Sequence, residues 1–356
     1  MQSSQAQPTE ARKQEHINIV LEKNVEAKGI SAGFERYFFE HVALPELDLD
    51  AIDLRLAIWG KTLKAPLLIS SMTGGTPAAH AINLHLAEAA QALGVAMGVG
   101  SQRAAIEDPS LAYTYQVRKV APDILLLANL GAVQLNYGYG FEQAQRAVEM
   151  IGADALILHL NPLQEAVQQQ GDRNWSHLYA KIAQLVVQVQ VPVVVKEVGN
   201  GISAVVAQRL ADCGVAAIDI AGAGGTSWSE VESYRQSDPL QQRVAHTFAG
   251  WGIPTALALQ EVHHALPHLP VFASGGIRNG VEVAKAIALG ATLVGSAAPL
   301  LGPAATAEAT AVYQRFAAMI EELRITAFCT GSASLKALRA TCLRRHDTWA
   351  QVGKHP

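Results

Sequence analysis

Cysteine is scarce in this chain: Cys213, Cys329 and Cys342 are the three in 356 residues, with no CxxC pair among them. That excludes a disulfide framework and the usual zinc-ligand spacing, and it fits a reducing cytoplasm. Charge is also thin, at 16% of residues, with a formal net of −4 and no basic block. No nucleic-acid partner is expected, and any anionic ligand has to be held by local clusters of cations. No apolar run reaches transmembrane length, and the polar opening from Met1 to Gln14 has no apolar core of a signal peptide. These absences predict a soluble cytoplasmic protein with no membrane partner. Apolar residues are plentiful: half the chain is hydrophobic, enough for one large barrel or for two ordinary domains.

From residue 66 onward, short β-rich apolar runs alternate with helical stretches. The candidate strands are 66–70, 94–99, 124–130, 155–160, 192–196, 216–221, 271–274 and 292–295. Each is continuously apolar, as a parallel strand buried on both faces has to be. Between them, 78–93, 141–151, 178–189, 202–213 and 281–289 read as helices. This α/β alternation predicts a closed (β/α)8 TIM barrel in preference to an open doubly wound sheet. Residues 1–60 read as an N-terminal arm, 61–302 as the barrel, and 303–356 as C-terminal helices packed on it. The segment 174–179 is either a lid or a simple connection.

Working residues of such a barrel collect at the C-terminal ends of its strands, and the polar and glycine residues of this chain concentrate there. Ser71-Met72-Thr73-Gly74-Gly75 follows the first strand; it offers N–H groups and a hydroxyl to a flat heteroaromatic ring, or makes a tight turn. Ser101-Gln102-Arg103 puts a cation at the mouth, and Asn129 lies on the third strand. Alternation places His159 and Asn161 on one side of the fourth strand, with Gln164 and Glu165 just past its end. Glu165 is either an oxygen ligand for Mg²⁺, which takes one or two carboxylates plus substrate phosphate, or a helix-start carboxylate.

Lys196, ending the fifth strand, reads as a Schiff-base nucleophile, a contact to an anion or cofactor, or a pair for Glu197. The loop from Gly222 to Trp228 brings the Thr226 hydroxyl within possible reach of a phosphate. It holds neither cysteine nor histidine, which argues against a thioimidate mechanism on purine nucleotides and against hydride abstraction from a hydroxy acid. In the arm, Arg12, Lys13 and His16 set three potential cations within five residues, suited to a diphosphate or forming a solvated basic patch.

The last two units carry the clearest pattern. One strand ends in Ser274-Gly275-Gly276-Ile277-Arg278 and the next in Gly295-Ser296-Ala297-Ala298, with a helix between. In barrels of this kind, these units build a phosphate site. The glycines let backbone N–H groups approach phosphate oxygens, the N-terminus of the following helix adds partial positive charge, and Arg278 completes the clamp.

Taken in chain order, these runs resemble a known family, the type 2, FMN-dependent isopentenyl-diphosphate isomerases. The resemblance covers residues 12 to about 298 and rests on RKQEH (12–16), ALPELDLD (43–50), ISSMTGG (69–75), GVGSQR (98–103) and ANLG (128–131). It continues through HLNPLQE (159–165), VVKEVGNG (194–201), AGAGGTSW (221–228) and SGGIRNG (274–280). SGGIR-type runs occur in many FMN barrels, whereas HLNPLQE with RKQEH and GSQR is far more specific. The resemblance implies that Ser71, Met72, Thr73, Gly74, Ser101, Asn129, Lys196 and Thr226 contact FMN, with Gly275, Gly276, Arg278, Ala297 and Ala298 around its phosphate. It implies that Arg12, Lys13, Ser101, Gln102, Arg103, His159, Asn161 and Gln164 hold the isoprenoid diphosphate, and that Glu165 binds Mg²⁺ bridging to it. Two places depart from the family pattern. Gln168-Gln169-Gln170-Gly171-Asp172 stands where many members read QPEGD, and Ala221 where some carry a hydroxyl.

The implied reaction moves the double bond of isopentenyl diphosphate to give dimethylallyl diphosphate. No side chain in the set is obviously acidic enough to protonate an unactivated alkene. Reduced FMN would serve as acid and base at N5, with Gln164 positioning the reacting carbon or relaying a proton, and NADPH would be needed only to reduce the flavin. The resemblance also implies a homotetramer or a larger homo-oligomer. The alternatives are an FMN-dependent oxidoreductase of a small hydroxy acid and a non-catalytic flavin- or phosphate-binding barrel. The cations Arg12, Lys13 and Arg103 beside Gln164 and Glu165 count against the second, since flavin binding needs none of them.

Overall fold

Eight runs with no side toward water have one economical arrangement, a closed cylinder jacketed by helices. The computed structural model has that architecture. It describes residues 9–306 and 308–346, so the first residues of the arm and the last of the C-terminal extension lie outside the described residues. The barrel strands are β1 (Leu67–Ile69), β2 (Ala96–Gly98), β3 (Leu126–Gly131), β4 (Ala155–Leu160), β5 (Val193–Glu197), β6 (Ala217–Asp219), β7 (Val271–Ala273) and β8 (Leu293–Ser296). They pair in parallel around a closed ring, with β8 returning to β1 through Val294 opposite Leu67 and Ser296 opposite Ile69. The eight strands and the (β/α)8 class read from the sequence are those observed.

The helices follow from local chemistry. α1 (Thr9–Glu22) lies in the arm and α2 (Pro77–Leu93) follows β1. α2 starts where the Thr76 hydroxyl accepts from the Ala79 N–H at 3.0 Å and stops at left-handed Gly94. α3 (Arg103–Glu107) and a 3-10 segment, Pro109–Tyr115, follow β2, and α4 (Phe141–Ile151) follows β3. Next come α5 (Pro162–Val167) and α6 (Leu178–Gln188) after β4, α7 (Ala204–Asp212) after β5, then α8 (Trp228–Arg235), α9 (Pro239–Thr247) and α10 (Thr255–Ala265) after β6. α11 (Gly280–Ala288) joins β7 to β8, and α12 (Ala298–Thr306), α13 (Ala309–Cys329) and α14 (Leu335–Arg339) close the chain. α13 packs on α2 and α11.

The base of the barrel is closed by a hairpin, Leu56–Ile58 with Lys61–Leu63. Its turn residues Trp59 and Gly60 both have positive φ, the geometry of the tight hairpin turns that match strand twist. The Trp59 ring sits 5.8 Å from that of Phe272 in β7, so the hairpin plugs the bottom. Beyond α1 the arm crosses the mouth. Ala27 donates to the Gly225 carbonyl and Ser227 to the Val25 carbonyl, both at 2.8 Å. Tyr37–Phe39 then pairs antiparallel with Leu343–Arg345, clipping the arm to the C-terminal extension.

Candidate active site

The strand ends, the arm and α12 enclose a cavity of about 550 Å³ at the C-terminal face. Every residue that the resemblance assigns to FMN, the diphosphate or Mg²⁺ lines it except Gly74 and Gln102. Both exceptions shape the wall from behind. Gly74 leaves room for the buried Tyr115 ring, which a Cβ at that position would meet at 1.9 Å. Gln102 turns into the core, accepting from the Asn129 N–H at 2.9 Å and donating to the Ala147 carbonyl at 2.8 Å. Its expected contact with a ligand is therefore replaced by a role in holding β3 beside β2.

On one side of the mouth stand the cations. The Lys13 ammonium donates to the Ser101 carbonyl at 2.7 Å and to the Tyr115 hydroxyl at 2.5 Å. Burial, with the charge of Arg12 adding to it, pushes Lys13 down to about 7. Arg103 is forked between Glu107 at 2.7 Å and Asp172 at 2.6 Å. His159 is bonded through Nδ1 to Asn129 Oδ1 at 2.8 Å. Burial, then the charges of Lys196 and Lys13, hold its imidazole down to about 4, so it is neutral at physiological pH.

The centre is an amide and carboxylate network. Asn161 Nδ2 donates to Gln164 Oε1 at 3.1 Å and to Glu165 Oε1 at 3.0 Å. Gln164 Nε2 in turn donates to Glu232 Oε1 at 3.1 Å. The Glu232 carboxylate is wholly buried and also takes His16 at 2.9 Å and Arg235 at 2.7 Å. Burial alone would raise it, but the hydrogen bond and charge of His16, with Arg235, hold it below the ordinary range. With its amide turned to suit both neighbours, Gln168 bridges Glu232 and Arg12 at 3.2 Å each. Glu165 accepts the Asp172 N–H at 2.7 Å. Burial raises its pKa, and the charge of Asp172 raises it further. His16, Gln168, Glu232 and Arg235 carry this network, and only His16 stood out in sequence. Glu232 is 216 positions from His16, and nothing local marks the pairing.

Lys196 does not pair with the Glu197 carboxylate, one of the roles left open for it. Its ammonium donates to the Glu197 carbonyl at 2.8 Å and lies 3.5 Å from Asp219, which accepts from the Ser274 hydroxyl at 2.6 Å. The Glu197 carboxylate instead caps the N–H groups of Val198, Gly199 and Asn200. Burial still pushes it up to about 7 against those three bonds.

At the far end two glycine loops lie on each other. A Cβ on Gly275 would meet the Gly222 carbonyl oxygen at 2.1 Å, and both Gly275 and Gly276 have positive φ, which only glycine adopts freely. The N–H groups of Gly275, Gly276, Ala297 and Ala298 find no acceptor among the described residues. α11, expected to lend its dipole, is sealed by its own protein. Asn279 caps it through the Glu282 N–H at 2.9 Å, and the Glu322 carboxylate takes the Gly280 N–H at 2.5 Å. The open helix start is that of α12, at Ala298. Arg278 lines this end but is shared with Glu26 of the arm at 2.8 Å. The stretch 174–179 lines none of the cavity; Asn136 ties it down through the carbonyls of Asn174 and Ser176, so it is a connection rather than a lid.

The donor set fits a flat, phosphorylated cofactor such as FMN. The Ser70 and Ser71 hydroxyls and Asn161 Oδ1 are buried without a hydrogen-bond partner among the described residues. The glycine cradle supplies free N–H groups where a phosphate would sit. For a divalent cation the fit is narrower. Among the described residues no group of three His, Cys, Asp or Glu converges. Glu165 alone would have to share Mg²⁺ with ligand oxygens, a coordination that Mg²⁺ commonly adopts.

A profile of the FMN-dependent dehydrogenase family matches residues 139–345. An isopentenyl-diphosphate delta-isomerase of Synechocystis sp. is 66% identical over 330 residues, covering 93% of this chain and 94% of that one. The isomerase of that name from Stutzerimonas stutzeri is 59% identical, covering 92% and 95%. Among solved structures, a flavocytochrome B2 variant superposes with a TM-score of 0.69 at 18% identity, covering 96% and 86%. A mandelate oxidase variant gives 0.65 at 19%, covering 93% and 95%. At such identities these two establish the shared barrel alone.

Proposed function

The chain belongs to the isopentenyl-diphosphate delta-isomerases within the FMN-dependent dehydrogenase family, and from that premise we propose that it converts isopentenyl to dimethylallyl diphosphate on reduced FMN. The observation that carries the proposal is the juxtaposition of two anion sites in one cavity: a glycine cradle at one end, and Arg12, Lys13 and Arg103 with His159 at the other. A barrel that binds flavin alone needs only the first, and the loop from Gly222 to Trp228 offers no histidine to a hydroxy-acid oxidase. Reduced FMN, when bound, supplies a nitrogen that gives and takes back a proton beside an electron-rich ring.

Ser71, Met72, Thr73, Asn129, Lys196 and Thr226 hold the ring in this reading, and Gly275, Gly276, Ala297 and Ala298 hold its phosphate. Arg278 adds charge from the rim. Arg12, Lys13, Arg103, His159 and Asn161 bind the diphosphate, and Glu165 shares Mg²⁺ with it, which neutralises part of its charge. Gln164 is clamped at both ends of its amide, by Asn161 and Glu232, so it orients the alkene rather than acting as the acid. Ile17, Val20 and Trp228 give an apolar wall that keeps water from a cationic intermediate. NADPH serves only to reduce the flavin. A homo-oligomer completes the reading, and light scattering would measure it.

Turnover in heavy water with NADPH present tests the chemistry. Solvent deuterium in the product methyl group, with the double bond kept and no NADPH oxidised in step, is expected. A saturated product formed with one NADPH oxidised per turnover would mean a reduction, and the proposal would fail.

A further inference from the structure

We propose that Tyr115 is a positioning residue for the substrate diphosphate, acting through Lys13; this rests on the isoprenoid-diphosphate reading above. Tyr115 ends the 3-10 segment and is wholly buried. Its ring lies against the backbone of Gly74 in the loop after β1, and its hydroxyl donates to the Ser101 carbonyl after β2 at 2.7 Å. The same hydroxyl accepts from Lys13 at 2.5 Å, and Lys13 also donates to Ser101 at 2.7 Å. One phenol thus ties two barrel loops to the arm.

A lysine ammonium has three donors. Two of those on Lys13 are anchored, and the side chain lines the cavity, which leaves the third for a ligand oxygen. Among the described residues Lys13 forms no ion pair, and Glu107, whose charge favours its ammonium, is itself held by Arg103 at 2.7 Å. An unanchored lysine loses much rotamer freedom when it grips a ligand. Here Tyr115 and Ser101 have imposed that loss beforehand, which is how pre-organisation raises affinity. Phenylalanine would fill the same space against Gly74 and keep a ring face 5.2 Å from the Lys13 ammonium, so the substitution isolates the hydroxyl.

The test is a calorimetric titration of the FMN-loaded protein with inorganic pyrophosphate, alongside steady-state kinetics. Tyr115→Phe should weaken pyrophosphate binding roughly tenfold, the scale of one hydrogen bond to a charged group. KM should rise by a similar factor, with kcat within about twofold. In a Lys13→Met background the same change should add nothing, since the two residues act as one unit. Tyr113→Phe, whose ring faces His80 instead, should leave binding unchanged. Unchanged or tighter binding in Tyr115→Phe, or an equal loss in both backgrounds, overturns the proposal. Should Tyr115→Phe fold poorly, Lys13→Arg decides: it keeps the charge but not the triangle, and wild-type affinity there would equally overturn it. If the wild type fails to turn over isopentenyl diphosphate, the functional reading is lost, and the pyrophosphate titration still decides the role of Tyr115.

Discussion

A side chain whose charge depends on its ligand reports on that ligand. Lys13, facing Arg12, Arg103, Glu107, Tyr115 and His159, is pushed by burial down to about 7. Below that pH it is already an ammonium; above it, binding a diphosphate has to draw a proton from solvent. Substrate affinity should therefore fall as pH rises above 7, with uptake of about one proton at pH 8 and little at pH 6. Calorimetry in buffers of different ionisation enthalpy measures this, and Lys13→Met should abolish the pH 8 uptake. Glu165 makes a separate claim. Glu165→Gln should remove activation by Mg²⁺ while leaving FMN binding intact, and full activity in that variant at every Mg²⁺ concentration would contradict the metal assignment. Gln102 illustrates where residue-level reading misleads. It sits between Ser101 and Arg103, which both line the cavity, yet its own side chain points the other way.

At the scale of elements, the two ends of the barrel do different work. Near the base, Arg118 donates to the carbonyls of Gly152 and Ile124 and to Asp154, joining the starts of β3 and β4. Arg118→Ala should cost about 1.5–3 kcal/mol of stability, the range for hydrogen bonds to a charged group, with kcat unchanged. Denaturant unfolding checks the first and kinetics the second. At the mouth, the loop after α5 links two ligand groups: the Asp172 N–H binds Glu165, and its carboxylate holds Arg103 and Gln134. Asp172→Asn should raise KM for the diphosphate roughly tenfold and leave the fold intact. In this loop Gln170 has positive φ, and a Cβ on Gly171 would meet the Glu165 carbonyl oxygen at 2.0 Å. The missing proline and glutamate of the family pattern therefore leave a loop fixed by its glycine and aspartate. The strands were legible because burial on both faces makes them continuously apolar. The plug hairpin was not, since three-residue strands are too short to show a period.

For the whole molecule, the arm, the barrel and the C-terminal helices meet around one cavity, and the arm closes over the mouth of its own barrel. The glycine cradle and the strand-end polar residues were legible because they follow from position in a βα unit. The Glu232 network was not, because it joins the arm, α5 and α8 across long separations that no local pattern encodes. Nor was the capping of α11, which depends on Glu322 from α13. These parts serve the central claim, that the chain is a flavin-dependent isomerase with no net redox change. The most direct test is anaerobic turnover of isopentenyl diphosphate with FMN, Mg²⁺ and NADPH, against a control lacking only flavin. Dimethylallyl diphosphate accumulating far beyond the NADPH consumed, and only with FMN, is the predicted result. Product formed equally well without flavin, or only in step with NADPH oxidation, would contradict it.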